Sequence, residues 1–90
     1  MRNLKQPTNQ TAEVLYELIQ SGFITRRSIM NDLGILNLTA RIADLRIRHG
    51  VEIKCTRVKA INKHGRAVIY GLWSIDDNDA IEDTYKAVNA

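Results

Sequence analysis

Residues 37–50 read NLTARIADLRIRHG. At about 100° per residue, Leu38, Ile42, Leu45 and His49 fall in one narrow stripe of a helix, which must face a core. Asn37, Arg41, Asp44 and Arg48 gather on one flank of that stripe. Thr39 and Arg46 lie on the other, with Ala40 and Ala43 behind. Gly50 supplies a stop. Such a helix is anchored along one side and offers a polar, arginine-bearing strip elsewhere.

Working back towards the N-terminus, Gly34 closes an earlier helix, RRSIMNDL at 26–33, in which Ile29 and Leu33 are four apart. Thr25 is its expected N-cap. The preceding FIT, 23–25, is a short extended bridge, and Gly22 is the expected C′ residue of a first helix. That helix carries Val14, Leu15, Leu18 and Ile19 on one face, with Thr8 as its expected N-cap. Towards the C-terminus the period changes to two. Val51, Ile53 and Cys55 alternate with Glu52, Lys54 and Thr56, which predicts a half-buried strand with Cys55 as a small core residue. NKHGR at 62–66 is a turn, and AVIYGLWSI at 67–75 is the return strand. In the tail, Ile81, Tyr85 and Val88 have the spacing of one short amphipathic helix.

Charge divides along the chain. Residues 1–75 hold 12 Lys/Arg against 5 Asp/Glu, whereas DDNDAIEDTYKAVNA at 76–90 holds one lysine and five acids. A basic body suits a polyanion, and an acidic tail could tune or mask that attraction. A single cysteine, Cys55, excludes an internal disulfide and a cysteine-rich zinc site, and fits a reducing cytosol. The longest apolar run, AVIYGLW at 67–73, is far too short to span a bilayer, and MRNLKQPTNQ has no apolar secretion core. The reading is of a cytoplasmic protein with no membrane partner, in the bacterial nucleoid or in a host cytoplasm if phage-encoded.

Three helices followed by a two-stranded hairpin is the order of an α+β winged helix-turn-helix, here with a short C-terminal helix as an addition. The expected organisation is a flexible N-terminal arm over 1–7, the winged domain over 8–75 and the acidic tail over 76–90. A helix fills the major groove of B-DNA and its first residues reach base edges. Asn37, Thr39, Ala40, Arg41, Asp44 and Arg48 are therefore the expected recognition-helix residues. Arg26, Arg27 and Arg46 are expected at the DNA backbone. The wing supplies Lys59, Lys63, His64 and Arg66. Arg41 could read guanine or simply pair with Asp44, and Asp44 could accept from cytosine or pair with Arg41 or Arg48.

The stretch TAEVLYELIQSGFIT followed by ILNLTARIADLR resembles a small winged helix-turn-helix family found mostly in bacteriophages and prophages. The matching residues are Gly22, Ile24, Thr25, Leu33, Gly34, Ile35, Ala40, Arg41, Ile42, Leu45 and Arg46, and the likeness covers residues 8–75. It implies DNA binding, usually regulatory, and it leaves the acidic tail outside the pattern; the expected protein is a sequence-specific double-stranded DNA-binding protein, a transcriptional regulator or a recombination accessory factor.

Both faces of the return strand are apolar. Val68, Tyr70 and Leu72 point one way, and Ile69, Trp73 and Ile75 the other. A two-stranded hairpin covers one side, so Trp73 requires a cover: the tail helix through Ile81 and Tyr85, or a second subunit. Trp73, Ile75, Ile81 and Tyr85 are thus the candidate interface of a homodimer. A rival reading is a winged module that inhibits or recruits a host protein, with residues 76–90 as a DNA mimic or docking tail. RNA binding is disfavoured because Tyr16, Phe23, Tyr70, Trp73 and Tyr85 form no stacking platform on a basic strand face. His49 and His64 lack a third ligand at metal spacing, and no glycine-rich phosphate loop or Ser–His–Asp arrangement occurs. No enzyme, cofactor or metal is expected.

Overall fold

A computed structural model describes residues 4–76 and 80–90. Helix α1 spans Gln10–Ser21, strand β1 Phe23–Thr25, helix α2 Arg26–Leu33 and helix α3 Leu38–Arg48. Strands β2, Ile53–Ile61, and β3, Ala67–Ile75, form the hairpin, and helix α4 spans Ile81–Val88.

The helix ends follow local chemistry. Asn9, not Thr8, caps α1: its side-chain Oδ1 accepts from the Ala12 amide at 2.8 Å. Thr8 is occupied elsewhere, donating through its hydroxyl to Asn89. Thr25 and Ser28 form a reciprocal capping box at the start of α2. Gly34 ends α2 at φ +68°, and its amide donates to the Met30 carbonyl at 3.0 Å. This left-handed residue turns the chain within a few residues into α3, where a side chain would be strained.

The apolar stripes converge on one core. Val14, Leu15 and Leu18 of α1 meet Ile29 of α2, Ile35 of the turn, and Leu38, Ile42 and Leu45 of α3. Ile24 and Ile53 close it from the sheet. His49 ends the stripe as the half-buried C-cap of α3 rather than as a core side chain.

The sheet has three strands, not two. The FIT bridge pairs antiparallel with β3, Phe23 opposite Ser74 and Thr25 opposite Leu72, giving the order β1-β3-β2. This answers part of the question raised by Trp73. It sits opposite Ile24 and packs, with Ile75, against the chain's own core. The tail helix does not cover it: α4 packs on α1 instead. Ile81, Tyr85 and Val88 are buried there, with the Tyr85 ring 6.0 Å from that of Tyr16. Ile81 and Tyr85 are therefore core residues of this chain and not a surface for a second subunit.

The N-terminal arm expected over 1–7 is, over residues 4–7, docked on α4. Leu4 packs against the core, the Tyr85 hydroxyl donates to the Lys5 carbonyl at 2.6 Å, and Asn89 donates to the Gln6 carbonyl. Residues 1–3 lie outside the described residues, as do 77–79 of the acidic tail.

Nine-residue strands span roughly 30 Å. That exceeds the two shorter dimensions of the molecule, 26 and 24 Å, so the hairpin runs towards the 44 Å axis. Its base is buried at Ile53, whereas Ile61 and Ile69 further out are exposed. Cys55 is also exposed, contrary to the core position read from alternation. It lies on β2, the outer strand, one step beyond the last residue that the helices cover.

Candidate nucleic-acid interface

Three elements form the candidate surface: α3, the N-terminus of α2 and the hairpin. They are joined by specific bonds. The Arg26 Nη2 donates to Thr39 Oγ1 at 3.2 Å, tying the start of α2 to the start of α3. The Arg46 Nη2 donates to the Ile53 carbonyl at 2.7 Å, tying the end of α3 to the base of β2. These bonds add to the buried stripe of Leu38, Ile42 and Leu45, which anchors α3 on the core.

The flank of α3 nearest α1 is closed on itself. Arg41 Nη2 lies 3.3 Å from Asp44 Oδ2, and Arg48 Nε lies 3.9 Å from Asp44 Oδ1. Thr11 of α1 donates to the same carboxylate at 3.4 Å. Arg41 is half-buried, with its Nε shielded from solvent and lacking a partner. Of the two readings open to Arg41 and Asp44 from the sequence, this geometry has them paired with each other. Arg48 projects, with 77% of its side chain exposed. Asn37 is exposed at the N-cap position and makes no capping bond through its side chain.

The hairpin tip is a compact turn. The Asn62 amide donates to the Arg66 carbonyl at 2.9 Å, and its side-chain Oδ1 accepts from the amides of His64 and Arg66. Gly65 takes the required positive φ of 84°. Backbone bonds and the Asn62 side chain define the turn, so the side chains of Lys63, His64 and Arg66 are all exposed and free to meet a partner. Lys59 is exposed on the strand leading to it. Between hairpin and α2 runs an open groove lined by Arg26, Arg27, Met30, Ala60, Ile61 and Tyr70 among others. Arg26 and Arg27 are exposed at its mouth.

Sequence reasoning missed three residues of this surface. Arg57 is exposed on β2 between the base and the tip. Leu36 and Ile47 are the large hydrophobics most exposed among the described residues, at 78% and 83%. Ile47 was legible: it follows Ala40 by seven and Ala43 by four, on the side of α3 opposite the core. Leu36 was not, because it precedes the helix and follows no helical period.

Of the acidic segment, Asp76 pairs with Lys54 near the base of β2, 3.5 Å between Nζ and Oδ2. Glu82 and Asp83 are exposed on α4, which is seated against α1. No helix of the described residues is long and apolar enough to cross a membrane. Among the described residues no group of three or more His, Cys, Asp or Glu could hold a metal ion.

Compared with known proteins, residues 9–76 match a family model described as a winged helix-turn-helix domain. No curated protein and no solved structure matches the chain.

Proposed function

We propose, from the premise that this chain belongs to the winged helix-turn-helix domain family, that it is a sequence-specific double-stranded DNA-binding protein. The family is a DNA-binding architecture. In this reading α3 enters the major groove, and the tip at 62–66 lies on the adjacent backbone or minor groove. Arg26 and Arg27 meet phosphates at the start of α2. Arg48 follows along α3, while Arg46 serves first as a tether to β2. The protein works by occupancy rather than catalysis, with no cofactor, as a transcriptional regulator or a recombination accessory factor of a phage or prophage. It would act in the cytoplasm.

The observation that carries this is the outward placement of unpaired cations on two separate elements. Arg27, Lys59, Lys63 and Arg66 are exposed and make no ion pair among the described residues. Cations on both a helix pair and a projecting hairpin suit a grooved polyanion better than a flat acidic protein.

The rival, a module that inhibits or recruits a host protein, draws on a specific observation too. Ile61, Ile69 and Tyr70 are exposed on the hairpin, and apolar patches of that kind mark protein interfaces. A duplex titration across salt separates the two. DNA binding gives an affinity that falls steeply and linearly in log–log form as salt rises. Failure to bind any mixed-sequence duplex at low salt would transfer the case to the protein-interaction reading.

A further inference from the structure

We infer that the outward face of α3 reads thymine methyl groups, through Leu36 and Ile47 with Ala40 and Ala43 between them. The inference rests on the reading that α3 enters the major groove.

On a helix anchored through Leu38, Ile42 and Leu45, the opposite side carries Ala40, Ala43 and Ile47. Leu36 precedes the helix by two residues. Single exposed apolar residues are ordinary on any surface. Here the most exposed large one among the described residues, Ile47, stands on that side beside the half-buried alanines Ala40 and Ala43, and the next, Leu36, lies in the turn just before the helix. Three of the polar groups on α3 that could read hydrogen-bonding edges are engaged elsewhere, while Asn37 stays exposed at its N-cap. Arg41 is paired with Asp44, Thr39 accepts from Arg26, and Arg46 donates to Ile53.

The chemistry of the groove then selects the partner. Of the features displayed by base pairs in the major groove, only the thymine C5-methyl is apolar. Alanine side chains let the helix approach the base edges closely, and the longer Leu36 and Ile47 extend contact at either end. About 13.5 Å of helix separates residues 38 and 47, the length of roughly four base-pair steps, with Leu36 just before it. The flanking charge fits a duplex: Arg48 is exposed beside the strip and Arg26 stands at its N-terminal end. A second copy of the chain would bring two arginine-flanked strips together, which like-charge repulsion opposes.

The test begins with a duplex selected by the full chain from a randomised 20-base-pair pool. The selected duplex is then synthesised with thymine and with deoxyuridine, which lacks only the methyl. Wild type should bind the deoxyuridine duplex more weakly, by about fourfold for each methyl contacted, the equivalent of ~0.8 kcal/mol per buried carbon. In the Leu36→Ala/Ile47→Ala variant that discrimination should shrink towards unity, a coupling that a general change in duplex shape would not produce. Both residues are exposed, so the variant should keep its fold. Equal affinity for the two duplexes, or an equal loss in wild type and variant, would overturn the inference and leave duplex binding standing. Failure to bind any duplex at low salt would overturn both.

Discussion

Lys63→Ala/Arg66→Ala is the perturbation whose outcome follows most directly from the geometry. Both side chains are exposed at the hairpin tip, and the turn beneath them is held by Asn62 and by backbone groups that alanine retains. Stability should therefore change by no more than about 0.5 kcal/mol. Binding should change in a characteristic way. Each phosphate neutralised releases counterions and adds about 0.9 to the slope of log affinity against log salt. If Arg26, Arg27, Arg48, Lys59, Lys63 and Arg66 each meet one phosphate, wild type has a slope of roughly −5.4, a loss of roughly 10³ between 50 and 200 mM salt. Removing two contacts lowers the slope by about 1.8, so the same salt interval then costs about 12-fold less. Fluorescence anisotropy with one labelled duplex, at four or more salt concentrations, measures both slopes. An unchanged slope with weakened binding would mean that the tip meets something other than phosphate. An unchanged slope and affinity would remove the wing from the interface.

Three further outcomes are expected. Asp44→Asn deletes the carboxylate that holds Arg41 and Arg48; it should raise low-salt duplex affinity several-fold while costing under about 1 kcal/mol of stability. Weaker binding, measured in the same anisotropy assay, would mean that Asp44 itself accepts from a base. Gly34→Ala meets no obstructing atom, so its cost is the left-handed backbone at φ +68°, roughly 1–2 kcal/mol of unfolding free energy, read as a lower urea midpoint at unchanged slope; no measurable loss would refute the strain argument. Burial, reinforced by the neighbouring Tyr16, holds the Tyr85 phenol above the ordinary tyrosine value of 10.0. The folded state therefore keeps this proton more tightly than the unfolded one, and its stabilisation is complete below that value and lost as pH rises through the folded one. Tyr85→Phe should abolish that alkaline decline in melting temperature and, by losing the bond to the Lys5 carbonyl, cost about 0.5–1.5 kcal/mol at neutral pH; an alkaline decline identical to wild type would place its origin elsewhere.

The sequence by itself determined the helices, the hairpin and the turn between α2 and α3. Those depend on interactions within a few residues: the period of Leu38, Ile42 and Leu45, the capping box of Thr25 and Ser28, and the positive φ that Gly34 and Gly65 accept without strain. It also placed the exposed cations of the tip, because a turn closed by its backbone and by Asn62 leaves the other side chains outside. Tertiary structure alone decided what lies against what. Three residues, FIT, are too short to announce a strand, and only the approach of β3 pairs them. Whether Ile81 and Tyr85 would sit on the sheet, on a second subunit or on α1 was open, since an apolar stripe specifies burial but no partner. Cys55 alternated correctly and still came to the surface, because alternation assigns a face and the extent of the covering layer decides whether that face is wet. Arg41 shared the outward flank with Arg48, and both reach Asp44, yet in the tertiary structure, with Thr11 of α1 against that carboxylate, Arg41 is half-buried and Arg48 exposed.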